Sequence, residues 1–185
     1  MSGINRFFSS RATGTAKASA SRVVRLGDCV FISHKREDSA MARSVADALK
    51  DMEVDIWLDL DELSAAQPQT EEEHLRLTKA IERGLNNSTH LLALITPRTK
   101  GSWWVPFEIG SCRGRSKPLA FLLHKDVSEL PSYFKLGEGL KDKYSLLGWA
   151  RKLSRRKEVA ELQAAVELAS EKRLDPYLKM VDATR

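Results

Sequence analysis

The chain has 185 residues, enough for one domain with a hydrophobic core, and its apolar and charged fractions are those of an ordinary globular protein. Its longest apolar runs are far shorter than the roughly 18 residues of a membrane-spanning helix, and its first residues lack the apolar stretch of a secretory signal. The net charge of +5 comes from residues 1–27, which carry five basic residues and no acid, so we expect neither a membrane nor nucleic acid as a partner.

Residues 1–27 are rich in Ser, Ala and Arg and predict a basic flexible arm ahead of one domain at 28–180. Two alternatives to a flexible arm are an organellar transit peptide, which has a similar composition, and an arm that becomes ordered when the protein assembles. Cys29 and Cys112 lie far apart in segments predicted to be buried, which is typical of a reduced protein of the cytoplasm. Residues 28–73 hold 13 acids against four bases, which indicates either solvated surface charge or head-to-tail association of copies.

From residue 28 onward, short apolar runs alternate with segments whose apolar residues recur at helical spacing. In chain order, we predict strand 28–34, helix 37–52, strand 53–63 leading into an acidic loop, helix 70–88, strand 89–97, helix 102–115, strand 117–126, a short strand at 133–136 and helix 155–174. Such alternation favours an α/β fold, in which a flavodoxin-like parallel sheet of about five strands carries helices on both faces.

Polar residues at the predicted helix ends support this division. Asp38 or Ser39 is expected to cap the first helix, Thr70 the second and Ser102 the third. The second helix is expected to end at Gly84 or at the pair of asparagines that follows it.

In sheets of this kind, ligands bind beyond the carboxyl ends of the strands. The candidate site is therefore formed by the loops "SHKRED", "LDLDELSAAQPQT" and "TPRTKGSWW", which follow the first three strands. The sequence has no GxxxxGK[ST] loop, no GxGxxG after a strand and no GxSxG elbow, and its histidines and cysteines lack metal-ligand spacing. We therefore predict no metal and no resident cofactor.

The segment "KGSWWVPFEIGSCRG" places one glutamate among aromatic residues. Trp104 and Glu108 share one face of the third helix, and Trp103 and Phe107 form the adjacent pair, so one stripe is expected in the core and the other along a cleft. The helix N-terminus lowers the pKa of Glu108, whereas apolar surroundings raise it, and the sequence leaves the balance open. A carboxylate beside an indole suits the binding of a ribose and the stabilisation of an oxocarbenium-like cation. The alternative is a glutamate in a cap or salt bridge beside core tryptophans.

Four blocks, in order, resemble the Toll/interleukin-1 receptor (TIR) domain family, and its bacterial members in particular. "VFISHKRED" is similar to the first box of the family, and "IWLDLDEL" to the strand that leads into its BB loop. "AIERGLNNSTHLLALITP" is similar to the next helix and strand, and "SWWVPFEIG" to the helix with the tryptophan–three residues–glutamate motif. The resemblance covers residues 28–124 best. The BB loop departs from the family pattern, because it has Pro68 and no glycine.

Enzymatic members of this family cleave NAD at the nicotinamide–ribose bond, so the resemblance implies that Glu108 is catalytic and that Trp104 stacks on the substrate. The implied pocket is bounded by the residues after the first strand and by the BB loop, and in the family it is often completed by a neighbouring copy. Phe31 is expected under the substrate or in the core, and Trp57 in the core. The implied substrate-binding residues are Phe31, Ser33, His34, Lys35, Asp59, Leu63 and Trp104.

The resemblance therefore implies an NAD+ nucleosidase (NADase) that acts as a homo-oligomer and has NAD+ as its substrate. Its product would be ADP-ribose or a cyclic ADP-ribose isomer, serving as an anti-phage immune signal to a separate effector, as in systems of the Thoeris type. The main alternative is a non-catalytic TIR scaffold that acts by TIR–TIR association, although the presence of Glu108 favours the enzyme. A nucleoside deoxyribosyltransferase-like enzyme is a third option.

Overall fold

Five strands form one parallel sheet in the computed structural model, which describes residues 27–58, 70–154 and 173–178. The strand order is β2-β1-β3-β4-β5, the order of flavodoxin-like sheets, which confirms the predicted fold class. The strands are β1 (Cys29–Ser33), β2 (Asp55–Trp57), β3 (His90–Ile95), β4 (Leu119–Leu123) and β5 (Glu138–Leu140).

Four α-helices lie entirely within the described residues, and no helix there is long and apolar enough to span a membrane. They are α1 (Ser39–Asp51), α2 (Glu71–Asn87), α3 (Trp104–Gly114) and α4 (Lys143–Leu153). Short 3₁₀ turns occur at Arg36–Asp38, Pro97–Gly101 and Ser132–Leu136. The arm predicted at 1–27 and the helix predicted at 155–174 lie almost entirely outside the described residues.

The core consists of two apolar clusters, one on each face of the sheet. Helices α1 and α4 cover the first cluster, which contains Val30 and Ile32 of β1. Helices α2 and α3 cover the second cluster, which contains Phe31 of the same strand because successive strand residues point to opposite faces. Cys29, Cys112 and Trp57 are buried in this second cluster, as the sequence predicts.

The helix caps confirm the sequence analysis at α2 and α3 and correct it at α1. Thr70 and Glu73 form a capping box at the start of α2, and Ser102 Oγ accepts a hydrogen bond from Val105 N at 3.1 Å. Asp38 stands at the N-cap position of α1, but its side chain makes no capping hydrogen bond and turns elsewhere. Ser39 does not cap α1 either, since its hydroxyl donates to the Arg36 carbonyl.

Gly84 lets α2 approach the sheet, and it does not end the helix. A Cβ built on Gly84 would lie 2.7 Å from Phe31 Cε2 and would also collide with the Trp57 indole. Helix α2 continues to Asn87, so the asparagine pair marks its end. The glycine is therefore required by the contact of α2 with β1 and β2, since any side chain would push the helix outward.

Two features of the C-terminal half differ from the prediction. The segment 133–136 is not a strand, because Phe134 N donates to the Pro131 carbonyl at 2.9 Å in a 3₁₀ turn. The last strand is β5 instead, and its Gly139 leaves room for the Phe134 ring, which a Cβ would meet at 2.5 Å. Helix α4 was not predicted, although its capping box of Asp142 and Ser145 is visible in the sequence.

Candidate active site

Glu108 is a buried carboxyl group on the face of α3 that covers the second core cluster. Its side chain is 5% exposed, and the hydroxyl of Ser33, the last residue of β1, lies beside it. Within the described residues, Glu108 Oε2 and Ser33 Oγ have no hydrogen-bond partner of normal geometry. Buried polar atoms are rarely left unsatisfied, so this pair marks a place where a polar ligand or water would be stabilised.

Burial dominates the protonation of this carboxyl group. It raises the pKa of Glu108 to about 8, and the neighbouring Ser33 hydroxyl opposes that rise in part. The helix N-terminus has little influence, because Glu108 is the fifth residue of α3 and the effect of the helix dipole fades after the first turn. The balance that the sequence left open is therefore decided by desolvation.

The two aromatic pairs of α3 face in different directions. Trp104 is half-buried and packs against the second core cluster, on the same face as Glu108. Its ring meets the Phe107 ring edge-on, with 5.7 Å between centroids. Trp103 is 92% exposed, so the expectation that its stripe lines either the core or a cleft is wrong.

The residues at the end of β1 are also buried. Phe31 is 6% exposed and belongs to the second core cluster. Of the two positions expected for it, under the substrate or in the core, it therefore takes the second. Ser33 shares the face of Phe31 by strand alternation and so reaches Glu108. His34 is buried, with Nδ1 3.3 Å from the Ile32 carbonyl oxygen.

Lys35 extends from the end of β1 toward the turn that precedes α3. Its Nζ lies 3.4 Å from Glu37 Oε1, and a Cβ built on Gly101 would be only 3.3 Å from the same nitrogen. The lysine ammonium, paired with Glu37, therefore lies near the turn that leads into the helix carrying Glu108. The other two expected site residues, Asp59 and Leu63, lie outside the described residues.

Asp38 joins the loop after β1 to the turn after β3, a connection that the sequence analysis missed. Its side chain accepts hydrogen bonds from Thr96 Oγ1 at 2.7 Å and from Arg98 Nη1 at 2.9 Å. Thr99 Oγ1 in turn accepts from Thr96 N and lies 3.3 Å from the Leu94 carbonyl oxygen to which it donates. Both loops were expected to belong to the candidate site. The contact between them joins residues nearly sixty positions apart, so no local sequence pattern indicates it.

These features define a class of protein: a flavodoxin-like α/β domain with a protonatable carboxyl group at the carboxyl end of its sheet, beside a half-buried indole. Such a carboxyl group can accept hydroxyl hydrogen bonds and, when ionised, stabilise a neighbouring cation. Among the described residues, no cluster of three His, Cys, Asp or Glu side chains could hold a metal ion.

A sequence profile of the TIR domain matches residues 30–161, so the chain belongs to the TIR domain family. A search of curated proteins finds no match. Among solved structures, a 2-deoxyribosyltransferase of Bacillus psychrosaccharolyticus is similar with a TM-score of 0.49 and 10% identity, covering 72% of this chain and 95% of that one. A conserved protein from Enterococcus faecalis V583 has a TM-score of 0.41 and 16% identity, with coverages of 85% and 92%. Neither of these likenesses bears on function.

Proposed function

We propose that this TIR protein is an NAD+ nucleosidase that cleaves the nicotinamide–ribose bond at Glu108. The observation that carries the proposal is the buried Glu108 carboxyl group, one helical turn from Trp104 in a TIR domain, whose Oε2 has no hydrogen-bond partner of normal geometry among the described residues. A glutamate with only a structural role would be expected to cap the helix or pair with a base. Glu108 Oε2 has no such partner among the described residues.

The chemistry follows from where charge develops. When the bond between C1′ and nicotinamide breaks, its electron pair goes to the ring nitrogen and leaves positive charge on the ribose. The ionised Glu108 carboxylate would stabilise that charge, and it would also accept hydrogen bonds from the ribose hydroxyls. Capture by water gives ADP-ribose and a proton, whereas capture by a hydroxyl or an adenine nitrogen of the same molecule gives a cyclic isomer.

Other residues take supporting roles in this proposal. Trp104 would stack on a planar ring of NAD+, because its indole is only partly buried beside the carboxyl group. Ser33 would share the ribose hydroxyls with Glu108, and Lys35 would face the negatively charged phosphates. Phe31 would support the floor of the site from the core. His34, Asp59 and Leu63 remain proposed contacts along its rim.

We further propose that the product is a diffusible immune signal read by a separate effector, and that the protein works in the cytoplasm as a homo-oligomer. TIR domains commonly self-associate. Activity that rises steeply with protein concentration would support a pocket shared between copies.

Purified protein incubated with NAD+, with products separated by chromatography, tests the enzymatic proposal. We expect nicotinamide together with ADP-ribose or a cyclic isomer from the wild type, and none from Glu108→Ala. Glu82→Ala, at an exposed position of α2, is the matched control and should retain activity. Protein that binds other TIR domains without NAD+ turnover would be a scaffold, and cleavage of free nucleosides alone would indicate a deoxyribosyltransferase-like enzyme.

A further inference from the structure

Two aromatic side chains at the start of α3 lie outside both the core and the site described above. Trp103, which immediately precedes the helix, is 92% exposed, and Phe107 is 41% exposed. Trp103 already has the helical backbone conformation, with φ -83° and ψ -29°, so the two residues lie on one helix face. We call them the outer aromatic pair. A ligand that covers them would be stabilised by the apolar surface that it removes from water.

The outer aromatic pair is continuous with the candidate active site. The Phe107 ring meets the Trp104 ring edge-on, with 5.7 Å between centroids, and Trp104 stands one helical turn before Glu108. Exposure increases along this path, from buried Glu108 to partly buried Trp104. It increases further to Phe107 and is greatest at Trp103. A ligand that is held at Glu108 and extends out of the interior therefore has aromatic surface beside it.

The exposed surface of the pair is uncharged. Within the first two turns of α3, Glu108 is the only charged residue, and it is buried. In the turn before the pair, Lys100 forms an ion pair with Glu129, and the exposed Arg113 lies in the last turn of the helix. A flat, apolar surface of this kind suits a planar, uncharged ring, and it offers no charged side chain to a lipid headgroup or a charged peptide.

We propose that the outer aromatic pair binds adenine, the second base of NAD+, by stacking on its ring. This role assumes the proposed function, in which Glu108 and Trp104 hold the nicotinamide end. NAD+ has two planar bases on two riboses joined by a pyrophosphate, so a single partly buried indole covers only one of them. Adenine is planar and uncharged at neutral pH, and stacking on aromatic rings recognises the face of a base without polar partners at its edge.

The expected position of the phosphates leads to the pair. Lys35, which is proposed to face the phosphates, has its Nζ 3.4 Å from Glu37 Oε1, and a Cβ built on Gly101 would lie 3.3 Å from the same nitrogen. Gly101 ends the short 3₁₀ turn that leads into Trp103. A dinucleotide whose phosphates lie at this turn would therefore bring its adenine to Trp103 and Phe107.

A comparison of NAD+ with nicotinamide mononucleotide tests this role, because both contain the bond to be cleaved and only NAD+ contains adenine. The stacking contact exists before and during bond cleavage, so its loss should raise KM for NAD+ and leave kcat nearly unchanged. Trp103→Ala should lower kcat/KM for NAD+ about tenfold more than kcat/KM for the mononucleotide, and Trp103→Phe should recover most of that difference. Tyr144→Ala, which removes an aromatic of 52% exposure from α4, is the matched control and should leave the ratio unchanged.

Isothermal titration calorimetry with ADP-ribose tests adenine binding without turnover. Trp103→Ala should weaken the binding of ADP-ribose about tenfold relative to the wild type, and melting temperatures show whether the variants are folded. Equal losses of kcat/KM for the two substrates would show that Trp103 acts through folding or assembly and would overturn the inference. ADP-ribose binding that is absent from the wild type, or unaffected by Trp103→Ala, would also overturn it. If neither substrate releases nicotinamide but ADP-ribose binding depends on Trp103, the proposed cleavage fails and the adenine site stands.

Discussion

The Glu108 carboxyl group on α3 and the Ser33 hydroxyl at the end of β1 lie beside each other in the protein interior, but neither Glu108 Oε2 nor Ser33 Oγ has a hydrogen bond of normal geometry among the described residues. Leaving buried polar atoms unsatisfied is costly, by about 1–3 kcal/mol for each group. Such a cost is typical of a site that is organised for a ligand and not for stability.

The pKa of Glu108 predicts how the proposed reaction depends on pH. Because burial raises that pKa to about 8, the carboxyl group is mostly protonated at neutral pH. If the ionised form stabilises the ribosyl cation, kcat/KM for NAD+ should fall about tenfold for each pH unit below the pKa and level off above it. Initial rates of nicotinamide release between pH 6 and 9.5 (roughly the range around that pKa) check this. A flat profile would exclude Glu108 as the titrating group.

The same pKa predicts that Glu108 lowers stability as pH rises. The folded protein keeps this proton up to about pH 8, whereas an unfolded glutamate loses it near 4.5, so the folded state binds the extra proton between these values. The free energy of unfolding should therefore fall with rising pH across this window relative to Glu108→Gln, by up to about 1.4 kcal/mol per unit. Melting temperatures of the two proteins should nearly agree at pH 4.5 and differ by several degrees at pH 8. Equal melting temperatures at both pH values would contradict the proposed burial.

Asp38 is predicted to act as a positioning residue for the site. Asp38→Ala removes the acceptor for Thr96 and Arg98, frees the loop after β1 from the turn before α3, and should lower kcat/KM for NAD+ by tenfold or more. Asp38→Asn keeps an oxygen acceptor for Thr96 and should recover part of that loss. Arg98→Ala, which removes a largely exposed partner, should have a small effect. If all three variants lose stability equally and keep kcat/KM, Asp38 has only a structural role.

Gly84 offers a prediction about stability alone. Gly84→Ala should destabilise the protein by about 2 kcal/mol or more, since the new methyl group would collide with Phe31 and Trp57. Gly148→Ala in α4 is the matched control, because no atom among the described residues is close to its Cβ position. There, alanine should stabilise the helix by about 0.5–1 kcal/mol. Urea denaturation measures both, and equal changes would contradict the close approach of α2 to the sheet.

The sequence predicts the sheet and most helices because local patterns determine them. The apolar runs of β1, β3 and β4, the capping residues Thr70 and Ser102, and the alternation of strands with helices are all visible in the chain. The last strand was misplaced, because its position depends on the pairing of Glu138 and Leu140 with Ala120 and Leu122 of β4, a contact between residues distant in sequence.

The candidate site was predictable in part. The spacing of Trp104 and Glu108 puts them on one helix face, and the resemblance to TIR domains indicates the loops around them. The direction of the Glu108 pKa shift could be determined only from the fold, because the effect of burial by β1 and the sheet exceeds the effect of the helix N-terminus. Tertiary contacts also explain why the Asp38 side chain bonds to Thr96 and does not cap α1. They likewise determine the outward position of Trp103.

The central claim is tested most directly by nicotinamide release from NAD+ at a pH above the Glu108 pKa and at high protein concentration, comparing the wild type with Glu108→Gln. Glutamine keeps the shape of the side chain but cannot carry the negative charge. We predict that the wild type releases nicotinamide and that the variant, folded and equally able to associate, does so at least about a thousandfold more slowly. Equal rates in the two proteins, or no release from either, would contradict the account.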